Sequence, residues 1–312
     1  MKLLIAFFKL IRWPNLFFIA LTQFLFYHWI VLKVPLSKIS NISFQNDFHL
    51  LILASVFIAA AGYIINDYFD LQIDNVNKPD KVVVDTIIKR RWAILWHWIL
   101  SASGILISAI ISIKISQWSI LIFNSLCVIA LWFYSTHFKK KLLIGNILIS
   151  LLTAWTIIVV YLFSGASLFN LHGWQIGQLP FDIKKLFKFT MLYAGFAFII
   201  TLIREVVKDM EDVNGDLRFG CKTMPIVWGI PASKVFAAVW MVVCSGSLAI
   251  IQLYAWQNGF RFSVAFVVLL IIAPLLIMIK NLYRSETAAD YHKISNQLKL
   301  IMLAGIISML FF

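Results

Sequence analysis

A chain of 312 residues that is 62% hydrophobic and only 13% charged exceeds the apolar share of soluble domains, so a membrane-embedded protein is expected in place of a water-soluble one. The net charge of +13 does not by itself imply nucleic acid, because basic residues flanking apolar spans record membrane orientation and contact with anionic lipid. Cys127, Cys221 and Cys244 have neither ligand-like spacing nor an even-numbered framework, and are read as reduced packing residues.

The N-terminal run MKLLIAFFKLIRWPN is cut by Lys9 and Arg12 and has no small-residue cleavage site behind it, so no removable signal peptide is expected. Apolar stretches near the roughly 20 residues that cross a bilayer core follow at 13–32, 48–66, 92–113, 117–134, 142–164, 187–203, 235–256, 262–280 and 298–312. Only the turn from Lys114 to Gln117 divides the third from the fourth, and the ninth begins beside Lys299, whose ammonium can snorkel. The expected fold is all-α, a polytopic bundle of about nine transmembrane helices. It forms a single domain over 1–312, with two related halves at about 1–141 and 142–312.

With the N-terminus in the cytoplasm, twenty of the 27 Lys and Arg fall in cytoplasmic connections, and the odd number of crossings puts the C-terminus on the opposite side. That rule says little about acids, yet twelve of the fourteen share the same side, with Asp47 and Asp182 opposite. Ten of the twelve lie in 67–85 and 205–216, directly after the second and sixth helices. Helices separated by an even number of crossings end on one face, so the two clusters are able to meet.

If the second helix continues through AAAGYIINDYFDLQIDNVNKPDK, Asn66, Asp70 and Asp74 fall at i, i+4 and i+8 on one face, with Asp67 one step around. The second segment, TLIREVVKDMEDVNGDLRFGCKT, repeats the device with Asp209, Asp212 and Asp216 at i, i+3 and i+7. Lys208, four residues before Asp212, is placed to offset part of that charge, and Gly215 offers a place for the helix to end or bend. Like charges so arranged repel, and a divalent cation is the economical counterweight for oxygen ligands. Arg204, Arg218 and Lys222 surround the second cluster, and the connection FYSTHFKKKLLIGN adds Lys139, Lys140 and Lys141 beside Tyr134 and Ser135. Two acidic stripes with nearby cations suit a Mg2+-bound diphosphate, since Mg2+ takes one or two carboxylates, waters and phosphate oxygens, and Lys and Arg take the remaining charge. One acidic helix end alone would be an ordinary solvated cap, and a basic triplet ending a helix is an ordinary topogenic signal. The duplication on one side is what favours a site. His28, His97 and His137 are read as packing or interfacial residues, and the abundant Trp and Phe as belts and lipid-facing surface.

These residues resemble the UbiA superfamily of intramembrane prenyltransferases. Asn66, Asp67, Asp70 and Asp74, followed by Asn77, Lys78, Pro79 and Asp80, match its first signature, and Asp212 and Asp216, followed by Gly220, Lys222 and Thr223, its second. Tyr134, Ser135, Lys139 and Lys140 with Gly145 and Asn146, and the start of helix one from Arg12 to Asn15, also fit. The likeness covers about two thirds of the chain, with the last three helices matching only as apolar spans. After Pro79 the chain departs from many members, carrying Lys81-Val82-Val83-Val84-Asp85 in place of a basic-Pro-Leu-Pro-Ser-Gly type run. The resemblance implies a nine-helix fold with a central cavity, and Mg2+-dependent ionisation of an allylic prenyl diphosphate whose prenyl group passes to a lipid-soluble acceptor. It implies Asp70, Asp74, Asp212 and Asp216 as the catalytic carboxylates, with Asn66, Asp67 and Asp209 completing the metal set. Diphosphate contacts are expected from Asn66, Arg12, Asn15, Tyr134, Lys139, Lys140, Arg204, Lys208 and Lys222.

The second segment, from Arg204 and Glu205 through Lys208 and Asp209 to Gly215 and Asp216, resembles most the subgroup that prenylates geranylgeranylglyceryl phosphate. The expected acceptor is therefore the hydroxyl of a prenylglyceryl phosphate, with an aromatic quinone precursor of the 4-hydroxybenzoate, dihydroxynaphthoate or homogentisate type as the alternative. An ion-coupled transporter would place its carboxylates near the midplane, and a phosphatidyltransferase would carry a single longer Asp-Gly-containing stretch. Membrane lipids are expected neighbours, while neither nucleic acid nor an obligate protein partner is.

Overall fold

A computed structural model describes the backbone of residues 2–33, 43–79, 82–172 and 181–311, and the side chains of these except at 43–46, 165–172 and 181–183. The described residues form helices joined by short turns, with one isolated β-bridge between Val84 and Ile88. Helices are what lipid permits, because every backbone N–H and C=O must be satisfied within the segment that carries it.

The chain runs α1 (Lys2–Leu10), α2 (Trp13–Leu25), α3 (Ser43–Asn77), α4 (Arg90–Lys114), α5 (Trp118–Thr136), α6 (Ile144–His172), α7 (Phe181–Glu211), α8 (Val213–Arg218), α9 (Met224–Val227), α10 (Gly229–Gln257), α11 (Arg261–Val267), α12 (Ala273–Arg284) and α13 (Ala288–Ile307). Among the described residues nine stretches are long and apolar enough to cross a membrane. They match the nine expected spans, with their ends displaced. The second runs on to Asn77, the sixth to Glu211, and the ninth starts ten residues early at Ala288. That early start has a local cause: Thr287 and Asp290 form a capping box, each side chain bonding the other's backbone N–H. The N-terminal apolar run becomes a separate helix, α1, ended at Arg12 by a left-handed backbone with φ 51.

Two compact units divide the chain, one of residues 1–138 and 155–192, the other of residues 139–154 and 193–312. In the first, small residues let helices approach closely. A Cβ on Gly104 of α4 would meet Ile58 and the Ala54 carbonyl of α3, and one on Gly62 would meet Leu131 of α5. A buried polar chain adds direction to that packing. Trp155 Nε1 donates to Asn124 Oδ1 (3.0 Å), Asn124 Nδ2 to Ser108 Oγ (2.8 Å), and Ser108 Oγ to the Gly104 carbonyl (2.8 Å). His97, read as a packing residue, is buried with Nδ1 3.0 Å from the Ala61 carbonyl.

A second cluster in this unit gathers Ala6, Leu10, Ile11 and Leu16 with Ile64 of α3 and with Val83, Val84 and Ile88 of the α3–α4 connection. The departure after Pro79 thus has a structural role: its valines pack inward, and the turn closes through Asp85 N–H to the Ile88 carbonyl (2.8 Å) and Ile88 N–H to the Val83 carbonyl (3.1 Å). Asp80 and Lys81, part of the same connection, lie outside the described residues. In the second unit, Ile200, Ile203 and Val207 of α7 pack with Met241, Leu248, Leu275, Met278, Ile294 and Leu298 from α10, α12 and α13. This cluster anchors the helix whose end carries the second acidic segment.

Candidate active site

The first unit carries the first acidic segment on one unbroken helix. Because α3 continues to Asn77, Asn66, Asp70 and Asp74 share a face as expected. Asp70 is 2% exposed, Asn66 and Asp74 are part-buried, and Phe69 and Gln72 point outward. The Asn66 Oδ1 is buried with no hydrogen-bond partner among the described residues, an acceptor available to a cation or donor that enters the site.

Asp67, one step around, does not stand alone. Arg12 Nη2 donates to its Oδ1 at 2.6 Å, and the guanidinium lies 5.2 Å from the Tyr63 ring centroid. The Asp67 carboxylate raises the Arg12 pKa above its ordinary value against the opposing effect of burial, so Arg12 stays cationic. Two residues expected to serve metal and diphosphate separately are therefore partners. Asn15 and Tyr134 are part-buried in the same unit, and Arg90 stacks 4.7 Å from the Tyr68 ring centroid.

The second unit carries the second segment differently. The helix breaks at Asp212, with φ −97 and ψ 6, and resumes as α8, while Gly215 lies buried inside α8. This corrects the expected break at Gly215. Asp tolerates the sparsely populated bridge region, and the ladder survives through Asp212 N–H to the Lys208 carbonyl (2.9 Å) and Asp216 N–H to the Asp212 carbonyl (3.1 Å). Lys208 Nζ lies 3.6 Å from Glu205 Oε2, an ion pair one turn back along the helix. Arg204 Nη1 donates to the other Glu205 oxygen at 2.7 Å. Asp209 Oδ2 accepts from Asn146 Nδ2 at 2.8 Å, so a buried amide at the start of α6 fixes that carboxylate. Glu211 meets His292 Nδ1 at 3.0 Å.

Past Asp216, which is 5% exposed, α8 ends on Gly220 with φ 69. Gly220 N–H bonds the Leu217 carbonyl (3.2 Å) and Cys221 N–H the Asp216 carbonyl (2.9 Å), the two bonds of a Schellman cap that needs a glycine in the left-handed position. The turn then hands Lys222 N–H to the Lys140 carbonyl at 2.8 Å. That backbone bond brings the basic connection Lys139–Lys141 to the acidic segment's exit. Lys140, Lys141 and Lys222 are exposed, and Arg204, Lys208 and Lys139 part-buried.

Glu205 and Asn146 carry part of the family likeness but are not among the expected metal or diphosphate residues. Glu205 had a signal in the sequence, since it stands one residue after Arg204 and three before Lys208. The Asn146 contact spans 63 residues and no local pattern announces it.

Among the described residues no group of three or more His, Cys, Asp or Glu side chains is preassembled to hold a metal ion. The donors nonetheless fit Mg2+, which prefers hard oxygens and takes only one or two carboxylates when water and substrate phosphates complete its shell. The Asn66 Oδ1 and the inward Asp70 are donors of that kind.

Among the described residues, nine apolar helices with two carboxylate segments and attendant cations define a membrane-embedded enzyme of the prenyl-transfer class. The chain belongs to the UbiA prenyltransferase family, whose description matches residues 36–302, and is an integral, multi-pass membrane prenyltransferase. It is 28% identical over 257 residues to the digeranylgeranylglyceryl phosphate synthase of Methanosphaera stadtmanae, covering 81% of this chain and 83% of that one. It is 35% identical over 227 residues to the enzyme of the same name from Methanosarcina mazei, covering 71% and 69%. Among solved structures, the fold matches an apo UbiA homolog from Aeropyrum pernix K1 with a TM-score of 0.64 at 15% identity, covering 93% and 94%. It also matches a UbiA homolog from Archaeoglobus fulgidus bound to DMAPP and Mg2+, with a TM-score of 0.57 at 17% identity, covering 97% and 99%.

Proposed function

We propose that this prenyltransferase moves a geranylgeranyl group from its diphosphate to the free hydroxyl of a prenylglyceryl phosphate, giving a diether lipid phosphate. The observation that carries a phosphate-rich substrate pair is the meeting, in the second unit, of Lys140 and Lys222 by a backbone bond at the exit of a segment holding Asp209 and Asp216. The curated relatives named as digeranylgeranylglyceryl phosphate synthases support the acceptor.

In this reading Asn66, Asp70, Asp74, Asp212 and Asp216, with Asp209 in support, are the residues that hold Mg2+. The metal when bound supplies Lewis-acid stabilisation of the leaving diphosphate. Lys139, Lys140 and Lys222 donate to phosphate oxygens, and Arg204 and Lys208, steadied by Glu205, add positive charge nearby. The allylic C–O bond breaks with its electron pair leaving on the diphosphate. The acceptor oxygen forms the new ether bond and passes its proton to the departing diphosphate, while apolar helix faces keep water from the allylic cation. The N-terminus is assigned to the cytoplasm and the C-terminus to the other side, supported by the twenty of 27 basic residues in the corresponding connections.

The test is to incubate membranes holding the enzyme with labelled geranylgeranyl diphosphate, Mg2+ and a panel of acceptors, then identify the product by mass. A labelled diether phosphate is expected. A product formed only with 4-hydroxybenzoate or dihydroxynaphthoate would overturn the acceptor assignment.

A further inference from the structure

The Arg12–Asp67 pair is left unused by the chemistry above. Arg12 occupies a left-handed conformation, φ 51, at the elbow between α1 and α2, which a residue with a long side chain adopts only when its surroundings impose it. Those surroundings are visible. Ala6, Leu10, Ile11 and Leu16 on both sides of the elbow pack into one cluster with Ile64, Val83, Val84 and Ile88, and the guanidinium is held at 2.6 Å from Asp67 Oδ1 and 5.2 Å from the Tyr63 ring centroid.

Asp67 follows Asn66 and precedes Asp70 by three residues on α3, at the edge of the stripe assigned to Mg2+. Left without its cation, it would add a charge beside that stripe and compete for the metal.

We infer that Arg12 is a built-in counter-cation for Asp67: the pair withdraws Asp67 from the metal set and fixes the α1–α2 elbow on α3, leaving Asn66, Asp70 and Asp74 as the first segment's ligands. Arg12 and Asp67 are then positioning residues, not a phosphate donor and a metal ligand. This rests on the proposed Mg2+ role of the stripe.

The test uses the full chain in detergent as Arg12→Gln, Asp67→Asn, the double variant, and Arg12→Lys, which keeps the charge if Arg12→Gln fails to fold. Three readouts are taken: the Mg2+ concentration for half-maximal prenyl transfer, KM for the prenyl diphosphate, and the thermal stabilisation given by Mg2+ with inorganic pyrophosphate. Arg12→Gln is expected to lower kcat about tenfold and to shift the Mg2+ half-maximum downward, because an uncovered carboxylate draws metal. Asp67→Asn and Arg12→Lys are expected to keep the parental Mg2+ half-maximum, and the double variant to recover most of the loss of Arg12→Gln. If Asp67→Asn instead raises the Mg2+ requirement and abolishes the pyrophosphate-dependent stabilisation, Asp67 is a ligand and the inference fails. If Arg12→Gln raises KM for the diphosphate and the double variant keeps that defect, Arg12 is a phosphate donor and it also fails. Failure of the underlying Mg2+ assignment shows separately, as an Asp70→Asn variant that retains the stabilisation.

Discussion

The two acidic segments carry the same charge pattern on different frameworks. The first rides an unbroken 35-residue helix, and Asp67, one step off its stripe, is matched by a cation from 55 residues away. The second breaks at Asp212, restarts for six residues and closes on a glycine cap, and its own Arg204 and Lys208 neutralise Glu205 while Asn146 holds Asp209. A straight helix spaces its ligands by its own pitch and needs help only with surplus charge. A broken helix has to be pinned side chain by side chain.

That contrast can be broken at its extremes first. Asp70→Asn and Asp212→Asn are each expected to cost about 100-fold or more in kcat at saturating Mg2+, the scale on which removal of a charge-stabilising group acts, measured with labelled prenyl diphosphate. Retained turnover in either variant would remove that segment from the site. Next, Asn146→Ala leaves the part-buried Asp209 carboxylate without its amide donor, at about 1 kcal/mol. Lower thermal stability in detergent and a higher Mg2+ requirement are expected together, and an unchanged Mg2+ requirement would show that Asp209 needs no pinning.

Smaller effects sharpen the picture. Gly220→Ala meets no atom within 4 Å of the new Cβ, so its penalty is backbone strain alone, about 1–2 kcal/mol at φ 69. A rise in KM for the prenyl diphosphate of a few fold is expected as the Lys140–Lys222 bond loosens, and steady-state kinetics that match the parent would show the bond to be incidental. Thr287→Ala removes the α13 capping box, about 1 kcal/mol, and is expected to lower the melting temperature slightly with kcat unchanged. A fall in kcat would tie α13 to the chemistry.

Much of this was legible in the residues. Hydropathy gave nine spans, because each must bury a bilayer's thickness of apolar side chains whatever it packs against. The stripe of Asn66, Asp70 and Asp74 followed from helical pitch alone. Legibility failed where local chemistry competed with periodicity: the Thr287–Asp290 box started α13 ten residues before the apolar run suggested, and Asp212 took the break assigned to Gly215. The capping box is written in Thr287 and Asp290 themselves, whereas no local pattern separates Asp212 from Gly215 as the break.

The sequence by itself determined the class of fold, the family and the carboxylates available for a metal, since these depend on composition and on spacing along one helix. Only the tertiary structure decided which charges are already answered. Arg12 meets Asp67 across 55 residues, Asn146 meets Asp209 across 63, and Lys222 meets Lys140 through the backbone. Pairings of that kind are fixed by how helices pack, and no periodicity within a segment encodes them.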